Sequence, residues 1–345
     1  MACICLEVAI LQGWIGSIMR IRYIMLETCR MNRPLRDIGI SGWCVALLVL
    51  SVSAGWCQTT TIPWQLLQAT YEYDADLPLQ AQVTETGTNS FFTSYSVTIE
   101  AVDGTTIPAM LHRPNLPDPV PCVLLLHGLG GDKASYSLPL ALALAPKGVA
   151  VMAIDARLHG ERAESDTQML SADLAASRDA MINTIIDNRR ALDYLDTRLD
   201  IAHERYMLIG ASLGGIQGAV LAAVDDRIKS AVLIVAGGQL DAMFLSSKHP
   251  ATETFREAGY PAGALRRALW DVEPVNFIGH FAPKPLLMIN GAQDDTIPPE
   301  NATVLHQAAG EPKQIVWYEG GHIPPISQLI SLLGEFVQAN LLELE

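Results

Sequence analysis

From about residue 96 onward, short apolar runs alternate with longer stretches of helical periodicity. Residues 121–127 and 149–155 are almost continuously apolar, the pattern of strands buried on both faces of a parallel sheet. Residues 206–209, 228–235, 285–290 and 314–318 share that character. Residues 96–102 and 106–112 read as an opening hairpin around the tight-turn pair Asp103-Gly104. Helical stretches at 134–146, 170–196, 213–224, 299–309 and 326–340 separate the strands. In the second of these, Leu174, Met181, Ile185, Leu192 and Leu195 fall on one face. Strand and helix alternating in this way predict an α/β fold around a mostly parallel sheet. Residues 238–276 are too long for an ordinary connection and carry Phe244, Phe255, Tyr260 and Trp270 in broken helical periodicity. A small helical insertion is expected there, either roofing a site or elaborating the surface. The predicted domain is therefore 96–345, with 58–95 as a leader segment before it.

The first 57 residues have a different character: five arginines stand against Glu7, Glu27 and Asp37, in a chain that is acidic elsewhere. Residues 31–55 follow the pattern of a secretory signal peptide, with Arg33 and Arg36 before the apolar run 43–52 and small residues at 53–55. Ten apolar residues are too few for a permanent membrane span. The expected location is extracytoplasmic, periplasmic or secreted, the alternative being a membrane anchor from an uncleaved N-terminal segment. Because residues 1–30 precede a complete signal pattern, they are expected to be an upstream extension, with translation starting at Met31.

Composition narrows the function. Half the residues are hydrophobic and 17% are charged, which excludes an intrinsically disordered chain. Lys and Arg number 23 against 37 Asp and Glu, a net charge of −14, so nucleic acid is not expected as a partner. The six cysteines form neither a Cys-x-x-Cys pair nor a zinc-spaced cluster, so no metal site is expected. Cys122, inside an apolar run, reads as a packed thiol, with a catalytic cysteine as the sharper alternative.

The candidate chemistry lies at strand ends. Gly210-Ala211-Ser212-Leu213-Gly214 fits G-x-S-x-G between a predicted strand and a predicted helix, a setting that holds a serine hydroxyl above the sheet. A serine needs a base, and the base an orienting acid. In this setting the chain order is serine, acid, histidine. Asp294 follows the 285–290 strand, and His322 follows the final strand on a Gly-Gly turn. Asp295 is adjacent but is expected to face solvent. His127-Gly128-Leu129-Gly130-Gly131 offers a tight turn, so the main-chain N–H groups of Leu129 and Leu213 are the candidate oxyanion donors. His127, Phe244 and Trp270 are the candidates for contact with substrate. Neither G-x-G-x-x-G nor a Walker Gly-Lys-Ser/Thr ending is present, which excludes a phosphate-cradling reading.

Residues 96–345 resemble the α/β-hydrolase superfamily, within it the dienelactone-hydrolase-like and acetyl-esterase-like serine hydrolases. The resemblance rests on Leu126-His-Gly-Leu-Gly-Gly131, Asp155-Ala-Arg-Leu-His-Gly-Glu-Arg162, Gly210-Ala-Ser-Leu-Gly-Gly215, Gly291-Ala-Gln-Asp-Asp-Thr-Ile-Pro298 and Gly321-His322. It implies an eight-stranded sheet, no cofactor, and Ser212, Asp294 and His322 as catalytic triad. The implied activity is a serine esterase cleaving small carboxylic esters, of short acyl group, through an acyl-enzyme. A serine peptidase of prolyl-oligopeptidase-like type and a non-catalytic binding protein on the same fold are the alternatives. The sequence departs from dienelactone hydrolases in having Ser212 where those have cysteine.

Overall fold

The computed structural model describes residues 62–343, which form one compact unit. The predicted upstream extension and the signal segment lie outside the described residues.

Among the described residues nine strands form one sheet: β1 (Gln82–Thr88), β2 (Phe92–Glu100), β3 (Thr106–Pro114), β4 (Val120–Leu126), β5 (Ala150–Ile154), β6 (Ile201–Ala211), β7 (Ile228–Ile234), β8 (Leu286–Gly291) and β9 (Lys313–Tyr318). Their spatial order is β1-β2-β3-β5-β4-β6-β7-β8-β9, antiparallel from β1 to the β3–β5 pair and parallel from β5 to β9. Eight strands coincide with the predicted ones. The ninth, β1, is exposed along its whole length and pairs with β2 through the backbone, so no apolar alternation marks it. It lies in the predicted 58–95 leader, as does helix α1 (Trp64–Ala69). Leu67 and Tyr71 are buried in the domain core, and the Trp64 ring stacks on His280 with centroids 3.9 Å apart.

Alternate strand residues feed two cores. Leu124, Leu126, Met152, Leu208 and Leu233 face α3 (Leu174–Asp196) and α4 (Leu213–Val224) in one core. Val123, Leu125, Val151, Ile209 and Val232 share the other with residues of α2 (Lys133–Leu144) and α9 (Ile326–Val337). A period of two with both faces apolar is what a buried parallel sheet demands. The 238–276 insertion is helical as expected: α5 (Leu240–Ser246), α6 (Glu253–Glu257) and α7 (Ala262–Ala268). Helix α8 (Pro299–Ala308) connects β8 to β9.

The order β5-β4-β6 makes the chain leave β4 toward one edge of the sheet and return to the opposite side for β6. Such a reversal opens a crevice beyond the carboxyl ends of the two strands, where ligands of open α/β sheets bind. The His127 loop follows β4 and Ser212 follows β6, so both candidate segments flank that crevice.

Candidate active site

Ser212 occupies the turn between β6 and α4 with φ 55° and ψ −119°, a left-handed conformation that a non-glycine residue adopts at a cost of about 1–3 kcal/mol. The turn is clamped: Ser212 N donates to the Ile234 carbonyl at 2.8 Å, and the Gly215 and Ile216 amides donate to the Ser212 carbonyl. The glycines on either side are demanded by close approach. A Cβ at Gly210 would run into the Gly214 backbone, and one at Gly214 into the carbonyl oxygen of Leu126.

Three side chains from three strand ends meet here. His322 Nε2 lies 2.9 Å from Ser212 Oγ, and His322 Nδ1 lies 2.8 Å from Asp294 Oδ2. An ionised carboxylate only accepts, so Nδ1 carries the proton and Nε2 is left to accept from the serine hydroxyl. Asp294 is buried, and its Oδ1 accepts the Thr296 and Ile297 amides at 2.9 Å each, which fixes the carboxylate plane. Asp295 points away, as expected, to an exposed pairing with Lys248 at 3.2 Å. The His322 loop is held by Tyr318 Oη donating to Gly321 O at 2.7 Å and by the Gln293 amide donating to Gly320 O at 2.9 Å.

Leu129 and Leu213 both border a small cavity of about 40 Å³ that also reaches Ser212. Among the described residues neither N–H has a hydrogen-bond partner. Leu213 is the first residue of α4, where the helix dipole adds positive potential. Gly128 sits against the serine: a Cβ there would lie 3.3 Å from Ser212 Cβ.

The three candidate substrate contacts are dispersed. His127 is buried and spends both ring nitrogens on the backbone, with Nε2 accepting from Ala156 N at 3.1 Å and Nδ1 donating to Gly128 O at 2.9 Å. Burial lowers its pKa, so the neutral ring pins the Leu129 loop instead of facing either cavity at Ser212. Phe244 is buried, stacks on Phe255 at 5.2 Å and borders the small cavity beside Ser212. Trp270 borders a different cavity of about 390 Å³, with Ile62, Arg266 and Glu273, that does not include Ser212. The insertion approaches the serine through α5, whereas Trp270, two residues past the end of α7, borders the other cavity.

Two features have no counterpart in the sequence reading. His249, in the polar stretch Ser246-Ser-Lys-His-Pro250, borders the small cavity with Ser212. Its pKa is lowered by burial first and then by His322 nearby. A second, much larger cavity of about 460 Å³ opens from Ser212 and His322 between α2 and α9. The Asp155–Arg162 stretch braces the crevice without entering it. Buried Asp155 takes the Lys133 amide at 2.9 Å and the Lys133 ammonium at 2.7 Å, tying the start of α2 to the end of β5. Burial raises the pKa of the Cys122 thiol, which keeps it protonated inside β4. Among the described residues no cluster of His, Cys, Asp and Glu could hold a metal ion.

Residues 123–328 match the model of the alpha/beta hydrolase family. Protein YfhR of Salmonella typhimurium is 30% identical over 244 residues, 67% of this chain and 75% of that protein. The esterase YjfP of Escherichia coli K12 is 25% identical over 199 residues, 56% of this chain and 76% of that protein. An acetyl xylan esterase from Paenibacillus sp. R4 superimposes with a TM-score of 0.67 at 22% identity, over 81% of this chain and all of that one. The chain therefore belongs to the alpha/beta hydrolase family, and is a hydrolase of esterase-like build.

Proposed function

We propose that the protein hydrolyses carboxylic esters through an acyl-enzyme on Ser212. The observation that carries this reading is the unbroken hydrogen-bond chain Ser212–His322–Asp294 beside two uncommitted amides.

Ser212 Oγ attacks the ester carbonyl carbon while its proton passes to His322 Nε2. The carbonyl oxygen becomes an oxyanion and accepts from the Leu129 and Leu213 N–H groups, which no other acceptor among the described residues engages. Asp294 stabilises the imidazolium without taking its proton. Collapse of the intermediate breaks the bond to the alcohol oxygen, which leaves with the proton from Nε2. Water then attacks the acyl-serine by the same route, releasing the acid and restoring the hydroxyl.

Ser212→Ala should lower turnover of p-nitrophenyl esters by about three orders of magnitude or more without lowering thermal stability. A fluorophosphonate should label the wild type at Ser212 and leave the variant unlabelled. Labelling or undiminished turnover in the variant would remove Ser212 from its role. The extracytoplasmic location is a second proposal, supported by the sequence pattern of residues 31–55 alone. Sequencing the N-terminus of the mature chain tests it, and a start before residue 53 would count against cleavage.

A further inference from the structure

We infer that the cavity between α2 and α9 is a groove for a linear apolar chain of the ester. This rests on the reading of Ser212 as nucleophile and goes beyond it in substrate class. The short acyl group expected from the sequence would leave most of this space in contact with water.

Each helix turns a full apolar stripe to the gap. On α9, Ile326, Leu329, Ile330, Leu333 and Gly334 border it, at helical spacings of three and four. On the facing side Tyr136, Pro139, Leu140, Ala143 and Leu144 repeat the same spacing. Two such stripes ordinarily pack against each other at an interaxial distance of about 8–10 Å. Here they stand apart, and Ile326 and Ile330 stay 67% and 53% exposed. The floor is apolar too, from Leu125, Ile209 and Ile234 of the central strands. Besides Ser212 and His322, the bordering side chains with a polar tip are Tyr136 and Lys147.

Position and size identify the occupant. The groove begins at Ser212 and His322, so whatever fills it is joined to the carbonyl those residues address. Its volume is about 460 Å³. At roughly 30 Å³ for a water-sized group, an acetyl group would occupy a small part of it. From Ile326 to Gly334 the helix advances about 12 Å at its 1.5 Å rise per residue, the length of an extended chain of about ten carbons. A Cβ at Gly334 would meet nothing within 4 Å, so this residue leaves the far end of the groove open.

The experiment measures kcat/KM for p-nitrophenyl acetate, butyrate, octanoate and decanoate, and for octyl acetate against ethyl acetate. A chain buried in the groove should raise kcat/KM by at least about tenfold from the two-carbon to the eight-carbon member. Dependence in the first series places the chain on the acyl side, and dependence in the second on the alcohol side. Gly334→Leu, which projects into open space, should lower the decanoate-to-butyrate ratio by at least about fivefold. Ile330→Trp, at an exposed position one turn nearer the serine, should shift the optimum to still shorter chains. An acetate optimum or a flat profile in the first series, with no preference for octyl over ethyl acetate in the second, in an enzyme that turns over acetate and takes the fluorophosphonate, would overturn the groove and spare the nucleophile. A second copy of the chain, or the segment before residue 62, seated in the groove would give that flat profile. Profiles unchanged in both variants would overturn the inference equally. Loss of all turnover and labelling would instead sink the Ser212 reading, and the groove's role with it.

Discussion

The backbone of Gly291 lies so close to the carbonyl oxygen of Gly321 that a methyl group at Gly291 would overlap it. Gly291 ends β8, three residues before Asp294, and Gly321 directly precedes His322. Their contact therefore sets how near the two loops come, and with it the 2.8 Å bond from Asp294 to His322.

Gly291→Ala must push the loops apart. A misplacement of about 1 Å in a catalytic group can cost roughly 100-fold in rate, so a fall of that order in kcat/KM is expected. The effect on melting temperature should be smaller, since the bulk of both cores is untouched. Ester kinetics and a thermal melt on the same sample check this. Unchanged kinetics would mean the loops relax without moving the acid.

Phe244 and Trp270 should part company. Phe244 borders the cavity beside Ser212, so Phe244→Leu should change kcat/KM by about tenfold, in keeping with one pocket contact. Trp270→Ala should lower the melting temperature and leave kcat/KM within about twofold, because its cavity does not reach the serine. An equal kinetic effect of both substitutions would show that the insertion moves as one lid.

The buried His112 makes stability depend on pH. Its Nδ1 and Nε2 lie 2.8 and 3.1 Å from the Ser94 and Ser137 hydroxyls, and burial lowers its pKa to about 4. An unfolded histidine titrates near 6.5, so between these values the unfolded state binds more protons. Stability contributed by the neutral ring is whole above pH 6.5 and is lost as pH falls toward 4, by up to about 3 kcal/mol. His112→Gln cannot take up the proton. Its denaturation curves should lose less stability than the wild type's across that interval. Parallel curves would relieve His112 of any part in acid sensitivity.

The parallel strands could be read from the sequence because each carries apolar residues on both faces, and the serine turn because its glycines follow a strand and open a helix. Strand β1 could not, because Gln82–Thr88 is polar throughout and pairs by backbone alone. Asp294 and His322 were legible by their place after strands. His249 was not: its neighbours are polar, and only the folding of the insertion brings it beside Ser212. The cavity that Trp270 borders could not be read either, since an aromatic in an insertion carries no sign of which cavity it will line. The groove escaped because an apolar stripe on a helix looks the same whether its partner is another helix or open space.

The adjacent acids give the sharpest test of the site. Asp294 is buried, with one oxygen on His322 Nδ1 and the other on two backbone amides. Asp295 is exposed and pairs with an exposed Lys248. In Asp294→Asn the side-chain oxygen can keep the Thr296 and Ile297 amides, so the loop should fold as before. The amide nitrogen would then face the imidazole and favour the tautomer with its proton on Nε2, which cannot accept from Ser212. A loss of roughly 10³–10⁴ in kcat is expected, with little change in melting temperature. Asp295→Asn removes an exposed ion pair worth under about 1 kcal/mol and should cost less than tenfold in kcat. The reverse ranking would hand the orienting role to Asp295, and equal small losses would take the acid out of this loop altogether.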